Sequence, residues 1–217
     1  VNVALAVAVI ATVVLSYVPG LGVLTYPLTL FDTTIHEMCH AVASWLTGGS
    51  VHSISIFQDT SGVTMVSGGF HVVTASAGYV GTTVTGLLMV LATGGRGTRL
   101  IGGCLMAVGA VMFFLVSFFS PIGLACALAL VGIGFLLLTK LPQHVADLIV
   151  AFLGMQLIVN SFYDLGGLFR MSVSSQTFTD ALIMQSMTGI PAVMWALLWM
   201  GLSGAAVIFS VIYLSKR

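Results

Sequence analysis

The stretch TIHEMCHAVASWLTGG, from Thr34 to Gly49, decides how this chain is read. It holds two histidines and the only glutamate of the chain, among residues apolar enough for a lipid bilayer. The rest of the sequence shares that character. Of 217 residues, 59% are hydrophobic and 6% are charged, whereas soluble domains carry about 25% charged residues. With a mean hydropathy of +1.16, the chain cannot cover a water-facing surface. It reads as one integral membrane domain over residues 1–217, all-α and polytopic. Six basic and six acidic residues leave no net charge. There is no basic run, so neither a nucleic-acid partner nor lipid-headgroup recognition is expected. Cys39, Cys104 and Cys126 form no CxxC pair and read as small apolar side chains.

A helix crosses the hydrocarbon core with about 20 apolar residues. On that criterion about seven transmembrane helices are expected. They run over Val1–Val18, Leu21–Leu46, Phe70–Thr93, Leu100–Phe119, Ile122–Thr139, Val145–Leu165 and Pro191–Leu214. The first lacks a basic leader and a small-x-small cleavage site, so it reads as a span, not a signal peptide. The chain begins at Val1 without a methionine, which leaves room for an upstream piece. Two connections have patterns of their own. SVHSISIFQDTSGVTMVSG, Ser50 to Gly68, alternates around a polar turn at Asp59–Gly62 and predicts a short β-hairpin after the HExxH helix. In the segment Arg170 to Ile190, Thr177-x-x-Asp180 has the spacing of a capping box. It predicts a following amphipathic helix at the membrane interface.

HExxH puts His36 and His40 one turn apart on the same helix face, where both can hold one Zn2+ ion. Glu37 is adjacent but offset in angle, so it reaches a water instead of the metal. Three polar side chains inside a span are expensive and mark function. A zinc site of this kind takes three protein ligands and a water. No second glutamate exists, which leaves Asp147, Asp164, His71, His144 and Cys39 as candidates. Depth separates them. The second and sixth spans run in the same direction, and Asp164 lies near the far end of the sixth, level with His36 and His40. Asp147 and His144 open that span about 25 Å away and belong to the other membrane face. His71 opens the third span on the correct side and stays as the second choice. Asn160, one turn before Asp164, suits three roles: holding an extended substrate backbone, orienting the carboxylate, or bonding a neighbouring helix.

HEMCH in a span, the hairpin after it, SAGYVGT (Ser76 to Thr82) and NSFYDLGG (Asn160 to Gly167) together resemble the site-2 protease family of intramembrane zinc metalloproteases. The likeness is greatest to its compact bacterial branch and runs from about Phe31 to Gly167. The resemblance implies cleavage of membrane-embedded or membrane-proximal segments of other membrane proteins. It implies His36, His40 and Asp164 as zinc ligands, Glu37 as the base, and a small-residue third span packed close to the site. Tyr79 stands where better-known members carry proline. A multi-pass protein of the bacterial cell membrane is implied, its partners being the lipid bilayer and a membrane-protein substrate.

A different class of function, a zinc transporter or a non-catalytic metal-binding membrane protein, also places ionisable residues in spans. A transporter would show ligands at several depths and has no use for a glutamate beside the metal. Orientation has two readings. Arg96, Arg99, Lys140, Lys216 and Arg217 fall on one side of a seven-span chain and Arg170 on the other, which puts the hairpin outside the cytoplasm. The resemblance puts hairpin and site nearer the cytoplasm.

Overall fold

The computed structural model describes the backbone of residues 22–174 and 179–216, with Ile10 and Val14; the side chains of residues 22 and 162–174 lie outside that description. In chain order the elements are α1 (Gly22–Leu46), β1 (Ser50–Ile56), β2 (Gly62–Ser67), α2 (His71–Leu91), α3 (Arg96–Leu115), α4 (Pro121–Thr139), α5 (Gln143–Ser174), α6 (Asp180–Thr188) and α7 (Ala192–Ser215).

Five helices among the described residues are long and apolar enough to cross a membrane: α2, α3, α4, the first part of α5 (Gln143–Ser161) and α7. These correspond to the third to seventh of the about seven spans expected, so five of the seven are found among the described residues. Val1–Val18 lies outside the described residues apart from two positions. The second expected span is a 25-residue helix, α1, which has the length but not the apolarity. It carries Asp32, Glu37, two histidines and several threonines, the residues from which a site is built.

The bundle is assembled by close approach. A Cβ at Gly86 of α2 would lie 2.6 Å from the Gly154 carbonyl of α5. Without side chains at such crossings, helices pack through backbone contact, as small residues allow in lipid. The main core joins Phe31 and Ile35 of α1 to Met89, Leu105, Leu130, Leu137, Val150, Leu153 and Leu157 of the next four helices. A second cluster ties α6 to the bundle, with Ala181 and Met184 against Ala75 of α2 and Ala192 and Trp199 of α7.

The expected hairpin is present. β1 and β2 are antiparallel, with Ile54 opposite Thr64 and Ile56 opposite Gly62. A bulge falls between Val51 and Ser53. Asp59 holds the turn by accepting from the Ser61 N–H and hydroxyl at 3.1 and 2.6 Å. Ile54 and Ile56 are fully buried beside Met38, Ala41, Met112 and Ala127. Burying each is worth about 1.5–3 kcal/mol. The outer edge of β1 is also occupied. The Ser117 N–H donates to the Ile54 carbonyl at 2.8 Å. The Ser120 hydroxyl accepts from the Ile56 N–H at 2.8 Å and caps the N-terminus of α4 through the Gly123 N–H. β2 keeps its other edge, as the sheet has two strands among the described residues.

Candidate metal centre

α1 delivers His36 and His40 to one face, one turn apart, as their spacing requires. Their ring centroids are 4.8 Å apart. The third group comes from the first residue of α6: the Asp180 Oδ2 atom lies 3.2 Å from the His36 Nε2 and 3.4 Å from the His40 Nε2. One ligand atom from each of the three lies within 4.8 Å of the others, and this is the one such cluster among the described residues. The sequence reading gives the third place to Asp164. That side chain lies outside the described residues; among the described residues the carboxylate that meets both histidines is Asp180.

The surroundings fix each group. His40 Nδ1–H donates to the Thr74 carbonyl at 2.6 Å. A carbonyl only accepts, so Nδ1 carries a proton and Nε2 is the ring nitrogen that faces the cluster. The edge of the Tyr79 ring meets His36, with centroids 4.7 Å apart, and Tyr79 stacks on the buried Trp199. Gly78 is needed at its position: a Cβ there would clash with His36 and come within 2.6 Å of the His40 Nε2. Gly81 does the same for Cys39, whose Sγ a Cβ would approach to 2.7 Å. The close packing expected of SAGYVGT is thus observed, and Cys39 is a packed side chain. Burial alone would raise the Asp180 carboxyl. Hydrogen bonds from His36 and His40 outweigh it and hold the carboxyl well below the usual carboxylate range.

Glu37 is buried, and its Oε2 accepts from the Thr64 hydroxyl of β2 at 2.6 Å. The cluster forms the floor of a cleft of about 500 Å³. One wall is β2 and its turn, Thr60 to Thr64 and Val66. The opposite wall is α6, with Thr179, Asp180, Ile183 and Met187. α2 closes the back with Thr74, Ala75 and Tyr79. Asp32, a buried carboxylate one turn before His36, also lines the cleft and was not singled out from the sequence. His71 is exposed on the cleft lining, outside the ligand cluster. Asn160 is half-buried on α5 and is not among the described residues lining the cleft. Asp147 accepts from the Gly94 N–H at 3.2 Å, from Gln143 Nε2 at 2.7 Å and from the Thr98 hydroxyl. It ties the N-terminal ends of α3 and α5 together, away from the histidines.

A donor set of two imidazoles and a carboxylate with a glutamate alongside fits a hydrolytic metal centre. The sequence profile of the family described as Peptidase M50B-like matches residues 3–210 of this chain. Neither curated proteins nor solved structures give a match. The chain belongs to the Peptidase M50B-like family, which is the site-2 protease family of membrane metallopeptidases.

Proposed function

We propose that this member of the family is a zinc endopeptidase that hydrolyses peptide bonds in or beside transmembrane segments of other membrane proteins. The observation that carries the reading is the meeting of His36, His40 and Asp180 beside the buried Glu37, at the floor of a cleft walled by a strand edge. Two imidazole nitrogens and a carboxylate oxygen suit Zn2+, and three protein ligands leave one position open. Asp180 takes the third ligand place on this reading. When bound there, zinc polarises the scissile carbonyl and eases the ionisation of water.

Glu37 accepts the proton of the attacking water as the new C–O bond forms. It then delivers a proton to the amine as the C–N bond breaks. A transmembrane helix hides its scissile bonds in backbone hydrogen bonds, so the substrate must unwind locally. The open edge of β2 offers an unwound segment a partner by strand addition. The β1 edge is taken by Ser117 and Ser120. On this reading the hairpin holds the substrate, while Asn160 is not among the described residues lining the cleft. Ile183 and Met187 on the opposite wall favour apolar side chains.

The test is Glu37→Gln, which keeps the shape of the side chain and removes the base. The probe is a quenched fluorescent peptide with one leucine- and alanine-rich segment of transmembrane length, presented in detergent micelles. Zinc content stays near that of the wild type, while turnover falls about 100- to 10,000-fold. A Glu37→Gln protein cleaving at the wild-type rate would overturn the reading. A transporter would instead change metal affinity or flux, with no cleavage to lose.

A further inference from the structure

We propose that β2 positions the general base: Thr64 and Gly62 hold the Glu37 carboxylate in its working place, making the hairpin part of the chemistry as well as the wall of the cleft. The inference rests on the reading of Glu37 as the base. Thr64 and Gly62 are two apart on one strand and therefore share a face, and that face meets Glu37. The Thr64 hydroxyl lies 2.6 Å from the Glu37 Oε2 and 3.0 Å from the Glu37 backbone carbonyl. At Gly62 a Cβ would lie 2.6 Å from the Glu37 Oε1 and 2.8 Å from its Cδ. One residue grips one carboxylate oxygen, and the other leaves the room the second oxygen occupies.

A glutamate side chain on a helix has three rotatable bonds, and α1 alone does not choose among their rotamers. The strand that chooses is itself fixed. Its partners across the ladder are Ile54 and Ile56, both fully buried, and the Ile56 N–H is tied to Ser120. Thr64 is thus a positioning residue, acting through Glu37.

Because Glu37 is the only glutamate, cell-free synthesis with glutamate carrying 13C in its side-chain carboxyl isotope-shifts the antisymmetric infrared band of one carboxylate. That band reports on Glu37 with or without metal, and Glu37→Gln confirms it by its loss. Thr64→Val is expected to shift the band, retain zinc, and lower kcat on the leucine–alanine probe peptide about 10- to 100-fold with KM nearly unchanged. Thr64→Ser, which keeps the hydroxyl, restores both band and kcat. In a Glu37→Gln background, Thr64→Val lowers the residual rate no further. An unmoved band with kcat within about two-fold of wild type overturns the proposal, as does loss of zinc in Thr64→Val, which would make Thr64 structural. If Glu37→Gln itself keeps full activity, the base reading fails instead, and the band still tests the Thr64 contact.

Discussion

Asp180 is the first residue of α6, where a carboxylate ordinarily complements the helix N-terminus. Here the same carboxylate turns to two imidazoles that lie 144 and 140 positions earlier in the chain. On the proposed reading, removing it takes one of three zinc ligands. Asp180→Ala should therefore lose zinc, by more than the 10- to 100-fold in affinity typical of losing a group behind a ligand. Asp164→Ala should keep it. Zinc measured on the two purified variants separates them, and retention by Asp180→Ala with loss by Asp164→Ala would return the third place to Asp164. The residues of HExxH are readable from sequence because one helical turn fixes their geometry. Asp180 is not, since Thr177-x-x-Asp180 reads locally as a helix start. Thr177 lies outside the described residues; Thr179 caps α6, its hydroxyl accepting from the Leu182 N–H at 3.3 Å. The better signal was an aspartate on the site's side of the membrane, in a segment otherwise poor in charge.

The two elements that wall the cleft are held differently, and this gives them different responses to metal. The hairpin is pinned by two buried isoleucines and by Ser120. Its alternation and turn residues made its boundaries readable, whereas the capture of β1 by the α3–α4 connection depends on distant residues and left no local trace. α6 has nine residues, fewer than a helix needs to persist alone in water. It docks through Ala181 and Met184 and through the contacts of Asp180 with His36 and His40, which on the proposed reading a bound zinc would tighten. Chelation should therefore loosen α6 and spare the hairpin. Hydrogen exchange in the α6 amides is expected to rise about ten-fold on metal removal, with β1 and β2 unchanged. Equal protection of α6 with and without metal would mean that packing against Trp199 suffices to hold it.

Among the residues whose side chains are described, the lysines and arginines and the site occupy opposite ends of the bundle. Arg99 donates to the Leu141 carbonyl at 3.0 Å, to Gln143 at 3.2 Å and to the Leu137 carbonyl, closing the α4–α5 end. Arg96 opens α3 and Lys140 follows α4 at that same end. Lys216 joins them, because the Tyr213 hydroxyl just before it donates to the Leu91 carbonyl at 3.2 Å. The hairpin, the α3–α4 connection and α6 lie at the other end. The apolar runs made this up-and-down order legible from sequence, and α1 is less apolar than the five spans because it carries the site. Basic residues in short loops favour the cytoplasmic side, and four of them share the end away from the cleft. The cleft is therefore expected to face away from the cytoplasm. Ser61 sits in the exposed hairpin turn, and the natural cysteines are a test of background, since Cys126 is buried and Cys104 is exposed on α3. With Cys104 replaced by serine, Ser61→Cys in intact bacterial cells should react with a membrane-impermeant maleimide added outside. A cysteine at Thr139, beside Lys140, should react only after the membrane is opened. The reverse pattern would place the cleft at the cytoplasmic face, as the family resemblance implies, and would show that these four cations do not set the orientation.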